Sequence, residues 1–257
     1  SEEVFTGAPA GTLKGGGEVL LCANLHPGAP LEGVRELGAR GVGLYRSEYL
    51  WLNEEGEPSE EKQFAAYRDV ARFAKTLSSK GRVTIRALDI GGDKLVRGIS
   101  QRADTAQRES NPFLGNRSIR YLLSHLDVMK TQLRAVLRAS VEGNVALMYP
   151  MVSCVEELHA AARVLDEVRR DLDAAGIPYD PNLPVGAMIE VPSAALNAAA
   201  LARHVDFFSI GTNDLVQYTM AADRGNESVA HLYQPTNPAI LRLMRGVIAA
   251  ARAQGIK

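Results

Sequence analysis

The stretch SIGTNDLVQYTMAADRGN (209–226) places an amide, a carboxylate and a guanidinium, those of Asn213, Asp214 and Arg224, just after the apolar run HVDFF. The same arrangement recurs elsewhere. GVGLYRSEYL ends an apolar run with Arg46, RVTIRALDIGGDK carries Arg86 and Asp89 with Lys94 just beyond, and GAMIEV has Glu190 at its tip. Glu190 and Asp214 are hard oxygen ligands suited to Mg2+, an ion that keeps waters and shares its shell with a substrate phosphate. Arg46, Arg86 and Arg224 offer planar forks for a phosphate or a carboxylate. The paired glycines of IGGDK let backbone N–H groups approach an anion, and Lys94 adds a point charge. This set describes a small, multiply charged phosphorylated acid clamped beside a divalent ion. Phosphoryl transfer fits it, because that chemistry asks the protein chiefly for positioning and charge neutralisation, and an enolate leaving group gains from a Lewis-acidic metal.

Each residue also has a plainer reading. Arg46 and Arg86 could cap strand ends and pair with Glu48 and Asp89, Asn213 and Asp214 could form an Asx-turn after Gly211-Thr212, and Lys94 could be a solvated loop lysine. Arg117 could line a helix face with Arg120. Glu190 resists such a reading, since a carboxylate after VGAMI must leave water and an unpaired buried charge is costly. The five histidines read as surface or helix residues and the two cysteines as small buried hydrophobes.

Something must hold these groups at one place. Apolar runs at 18–25, 41–46, 82–90, 145–152, 185–191 and 206–211 are each followed by a segment with helical spacing of apolar positions, giving six βα units. In EEKQFAAYRDVARFAKTL, Phe64, Tyr67, Val70, Phe73 and Ala74 form an apolar stripe. NPAILRLMRGVIAAARAQG shows both helix ends, with Asn237 as N-cap, Pro238 at the first position and Gly255 as the stop. Alternating strands and helices make a parallel sheet whose C-terminal strand ends carry the site, in a barrel or an open sheet. Contributions from four strand ends favour the barrel, where a closed ring aims all of them at one mouth.

The 257 residues are 46% hydrophobic with a formal net charge of -1, so there is no electrostatic footprint for nucleic acid or an anionic membrane. No apolar run approaches the ~20 residues that span a bilayer. Two cysteines make no disulfide framework, and a reducing cytoplasm is expected. Residues 1–17 read as a lead-in, and 18–257 as one domain.

GVGLYRSEYL, RALDIGGDK, NPFLGNRSIR, LMYPMVS, GAMIEVPSAAL and VDFFSIGTNDLVQYTMAADRGN resemble, in order and spacing, the phosphoenolpyruvate-binding barrel of the enzyme I proteins of the phosphotransferase system, from about Val19 to the last residue. Pyruvate phosphate dikinase and phosphoenolpyruvate synthase share a looser form of these motifs. The resemblance implies a (β/α)8 TIM barrel that binds phosphoenolpyruvate and Mg2+. It implies that Arg46, Arg86 and Arg224 are the catalytic groups on phosphate and carboxylate, with Arg117 nearby, that Asn213 contacts the substrate, and that Glu190 and Asp214 bind the metal. A mobile histidine domain, a small histidine phosphocarrier protein, a homodimer and a role in sugar uptake or nitrogen regulation are further implied. The departures are specific. No histidine here sits in the family's Gly-Gly-x-Thr-Ser-His segment, Asn116 stands where an aromatic residue is usual, and the family's seventh strand, with a Gly-Met-Cys-Gly-Glu motif, follows the point where this chain stops. About six units of the eight are therefore expected, as a domain truncated before the seventh strand. The leading reading is the catalytic domain of a phosphoenolpyruvate-protein phosphotransferase, the fragment alone being inactive. The alternatives are a phosphoenolpyruvate-binding module without turnover, or a domain of a dikinase- or synthase-like enzyme.

Overall fold

The structure, a computed structural model, describes residues 19–52, 56–90 and 110–257. Lys94 and the lead-in at 1–17 lie outside the described residues. Strands form within all six apolar runs: β1 (Ala23–Leu25), β2 (Val42–Arg46), β3 (Val83–Arg86), β4 (Val145–Tyr149), β5 (Val185–Ile189) and β6 (Phe207–Ile210). Every neighbouring pair is parallel, and the sheet order is the sequence order, β1 to β6. A sheet wound this way adds each strand on the same side, and right-handed crossovers put all helices on one face and leave the other as a barrel interior. A doubly wound open sheet would reverse its order at a switch point. The fold is therefore an α/β arc of six units of a TIM-type barrel.

The strands are shorter than the apolar runs that announce them. After β3, the Ala87 N–H still donates to the Met148 carbonyl at 2.8 Å, but the Leu88 N–H donates to Gln132 Oε1 at 2.8 Å. The ladder ends there and the chain turns with Asp89. The run at 145–152 stops at Tyr149 because Met151 takes a left-handed backbone, φ 56°. The cysteines correct the sequence reading. Cys22 is exposed, one residue before β1 at the edge of the described sheet, and Cys154 is half-buried as a helix N-cap, so neither is a buried hydrophobe.

The helices are α1 (Tyr49–Leu52), α2 (Glu60–Leu77), α3 (Ile119–Ser124), α4 (Leu126–Ser140), α5 (Val155–Ala174), α6 (Pro192–Leu196), α7 (Ala198–Leu201), α8 (Thr212–Met220) and α9 (Pro238–Gln254). In α2 the stripe buries Tyr67, Val70 and Ala74, while Phe64 and Phe73 are partly buried at its border. Ser59 caps its start, accepting from the Lys62 N–H at 3.3 Å. In its first turn, Glu60 receives Arg134 at 2.8 Å and Arg138 at 2.7 Å, which ties α2 to α4. Asn237 caps α9 by accepting from the Ala239 N–H at 2.9 Å, and Gly255 ends it at φ 71°. No described helix is long and apolar enough to cross a membrane.

One polar chain runs through this core. Gln63 Nε2 donates to the Pro58 carbonyl, and Tyr67 OH to Gln63 Oε1. Gln132 Nε2 donates to Tyr67 OH and Ser47 Oγ, both at 3.0 Å, and Ser47 Oγ donates to the Arg86 carbonyl at 2.7 Å. Thus α2 and α4 fix the C-terminal end of β3 by satisfied hydrogen bonds rather than by apolar packing alone. In urea melts, Gln132→Leu is expected to lose about 1–3 kcal/mol, because it strands the Leu88 N–H. Asn237→Ala is expected to lose about 1 kcal/mol. An unchanged midpoint for Gln132→Leu would show that the chain does not support β3.

Candidate active site

The C-terminal ends of the strands bring charge together. Arg46 and Arg86 are the last residues of β2 and β3 and stand opposite each other in the ladder. Arg86, buried, reaches Glu48 Oε1 at 2.5 Å and Asp89 Oδ2 at 2.9 Å. Burial works against its charge, but Asp89, Glu48 and Glu190 outweigh that and raise its pKa further. Arg117, also buried, continues the line. Its Nη2 lies 3.2 Å from Asp89 Oδ1 and 3.4 Å from Asp214 Oδ2, and its Nη1 donates to Tyr218 OH at 3.1 Å. Asp214, in the first turn of α8, faces Arg224 Nη1 at 3.7 Å through its other oxygen. Its place near a helix N-terminus suits a carboxylate.

Glu190, one residue past β5, is the acid with no guanidinium within ion-pair distance among the described residues. Its Oε1 accepts the Met151 N–H at 2.6 Å. Burial first, then Asp89 and Asp214, push its pKa up to about 8, with Arg86 and the Met151 amide working the other way. A cation arriving beside such a carboxyl would favour its charged form and draw the pKa back down, the proton passing to water. Its position depends on Gly211, where a Cβ would lie 2.5 Å from Glu190 Oε2 and 2.8 Å from Glu190 Cβ.

Among the described residues, three non-glycine positions have a left-handed backbone, and all three serve this mouth. Met151 aims its N–H at Glu190. Ser118 (φ 57°) donates its hydroxyl to Asp89, and Ala221 (φ 50°) ends α8 and turns the chain toward Arg224. Such conformations cost about 1–3 kcal/mol each and cluster where geometry matters more than ease.

The structure therefore brings Arg86, Arg117, Arg224, Glu190 and Asp214 together. Arg46 is half-buried with no ion pair among the described residues. Asn213 is exposed and accepts from Tyr233 OH at 2.9 Å. Lys94 lies outside the described residues. Sequence reasoning left out Ser118, Tyr218 and Gln132 and gave Glu48 and Asp89 only a plain pairing role. Tyr218 could have been found, since it follows Asp214 by one helical turn and so shares its face.

No group of three or more His, Cys, Asp or Glu side chains that could hold a metal occurs among the described residues. Two carboxylates suffice for Mg2+ when substrate oxygens and waters complete its shell. Burial first, then Asp89 and Asp214, disfavours the charge on Glu190, and a divalent cation would offset both, so the donor set fits such an ion.

A family model described as PEP-utilising enzyme, PEP-binding domain, matches residues 3–257. A phosphoenolpyruvate-protein phosphotransferase of Haemophilus influenzae is 46% identical over 248 residues, which are 96% of this chain and 41% of that protein. One of Priestia megaterium, with the same name, is 48% identical over 237 residues, 92% of this chain and 40% of that protein. The chain thus spans about two fifths of the length of these curated relatives. A crystal structure of an HpcH/HpaI aldolase/citrate lyase family protein from Burkholderia cenocepacia superposes with a TM-score of 0.50 at 14% identity, covering 92% of this chain and 77% of that one. That likeness speaks for the fold alone.

Two outcomes follow from the geometry. Gly211→Ala should destabilise the fold by about 1–3 kcal/mol, because its methyl group must displace Glu190; wild-type stability would mean that the close approach is not needed. Glu190 binds its proton more tightly folded than unfolded, so its contribution to stability is present below the ordinary carboxyl value of 4.5 and is lost as pH rises through about 8. Denaturation midpoints followed across that window should fall in the parent and fall less in Glu190→Gln; equal slopes would contradict the raised carboxyl.

Proposed function

The chain belongs to the PEP-utilising enzymes as their PEP-binding domain, and from that premise we propose that it binds phosphoenolpyruvate with Mg2+ and promotes phosphoryl transfer to a histidine on a domain outside this chain, releasing pyruvate. The observation that carries the reading is the alternation of guanidinium and carboxylate groups at one strand-end mouth, ending in a buried acid held by a backbone amide.

In the reaction, the bond between phosphorus and the enol oxygen breaks, a phosphorus–nitrogen bond forms to the unprotonated ring nitrogen of the histidine, and the enolate of pyruvate leaves and takes up a proton from solvent at its methylene carbon to give pyruvate. Arg46 and Arg86 carry the charge of the phosphoryl oxygens, and Arg86 is held for this by Glu48 and Asp89. Arg117 and Arg224, which touch Asp214 only at 3.4 and 3.7 Å, exchange that carboxylate for substrate oxygens. Asn213 and Lys94 complete the substrate contacts. Glu190 and Asp214 would hold Mg2+, which when bound supplies Lewis-acid stabilisation of the enolate and phosphoryl oxygens. The small histidine phosphocarrier protein, and a homodimeric assembly in the cytoplasm, belong to the same reading through the family.

Calorimetric titration with phosphoenolpyruvate tests it. Binding should require Mg2+ and weaken at least ten-fold, about 1.4 kcal/mol, in Glu190→Gln and in Arg224→Ala. Arg224 is the informative arginine, since its side chain is 38% exposed and its loss leaves the buried pairs intact. Removing Arg86 would instead take away the buried guanidinium that both Glu48 and Asp89 contact and disturb the fold itself. Binding that ignores Mg2+ and both substitutions would sink the proposal.

A further inference from the structure

Arg117 has three polar contacts at its two outer nitrogens and none at the inner one. Its Nη2 lies 3.2 Å from Asp89 and 3.4 Å from Asp214, and its Nη1 donates to Tyr218 OH at 3.1 Å. Its Nε is buried with no hydrogen-bond partner. The orientation of this guanidinium is therefore set at Nη1 and Nη2. A planar fork held at one nitrogen still turns about that point, whereas contacts at both fix its plane.

Asp214 and Tyr218 stand one turn apart on α8, so one helix face offers Arg117 both a carboxylate and a neutral oxygen. The neutral oxygen is itself anchored. Tyr218 OH donates to the Phe113 carbonyl, in the 3-10 turn Pro112–Leu114, and the Arg117 guanidinium lies 5.9 Å from the Phe113 ring. The one hydroxyl proton is thus committed to the carbonyl, which leaves a lone pair for Arg117. Burial raises the Tyr218 pKa, with Arg117 working the other way and Asp214 adding to the rise, so the group stays a hydroxyl. A neutral hydroxyl competes poorly for a hard divalent cation against two carboxylates. When Asp214 turns to a cation, Arg117 therefore keeps Tyr218 and Asp89 and loses only the longest of its contacts.

We propose that Tyr218 is a positioning residue for the ligand anion: it pins Arg117 Nη1 so that Nη2 alone passes from Asp214 to the incoming oxygen. Without the pin, the fork is free to rotate toward Asp89 and away from the ligand. This role rests on the phosphoenolpyruvate reading of the mouth and adds to it a side chain that touches neither substrate nor metal.

Arginine side-chain NMR and calorimetry on Tyr218→Phe test it. In the ligand-free parent, the Arg117 Nη1 and Nη2 protons should give separate lines, because the held guanidinium rotates slowly; in Tyr218→Phe they should merge. With Mg2+ present, Tyr218→Phe should bind phosphoenolpyruvate about ten-fold more weakly, the effect of one lost hydrogen bond to a charged group. In an Arg117→Lys background, whose ammonium is a point charge with no plane to orient, the same change should alter affinity less than about two-fold. A merely structural tyrosine would cost the same factor in both backgrounds. The proposal is overturned by equal losses in the two backgrounds, by parent-like affinity in Tyr218→Phe, or by Arg117 lines that stay separate. A parent that binds no phosphoenolpyruvate would instead fell the functional reading; merged Arg117 lines would then still assign the pin to Tyr218, and separate lines would remove it.

Discussion

A line of alternating charges organises the mouth of this barrel arc: Glu48, Arg86, Asp89, Arg117, Asp214 and Arg224, each within ion-pair distance of the next. Buried charges are tolerated only when paired, and the inner members Arg86, Asp89 and Arg117 each contact an opposite charge on both sides. The line holds Arg86 between Glu48 and Asp89 with no ligand present. It loosens from one end to the other. The Arg86 contacts are short, whereas those of Asp214 are long, which makes the Asp214 end the place where a ligand can enter at least cost.

The backbone makes this arrangement possible. Met151, Ser118 and Ala221 adopt conformations that non-glycine residues avoid, and each aims or positions a group of the mouth. Gly211 does the opposite, giving up a side chain so that Glu190 can lie against it. Behind β3, the Gln63–Tyr67–Gln132–Ser47 chain reaches the Arg86 carbonyl from two outer helices. The outer layer thereby sets the geometry of the inner one.

The architecture was legible because its signals are local. Six apolar runs gave six strands, α2 forms over the segment that carries its apolar stripe, and Asn237 and Gly255 bound α9 as their cap chemistry requires. Strand ends were not legible, because they depend on partners far along the chain: the Leu88 amide leaves the ladder for Gln132, 44 residues on. The same holds at the mouth. Glu190 and Asp214 stood out as acids at the ends of apolar runs, but the sharing of Arg117 between Asp89 and Asp214 joins residues 28 and 97 positions apart. Cys22 was misread for a related reason: an apolar run in a sequence does not show which of its residues lie before the first strand pair.

The account rests on Glu190 and Asp214 sharing one divalent ion with a ligand held by the arginines. A crystal grown with Mn2+ in place of Mg2+, together with phosphoenolpyruvate, tests this through the anomalous scattering of the metal. The expected result is one peak coordinated by both carboxylates and by a ligand oxygen, with Arg117 and Arg224 turned from Asp214 to the ligand. A peak bound to one acid alone, or ordered ligand at the mouth with Glu190 still held only by Met151, would contradict it.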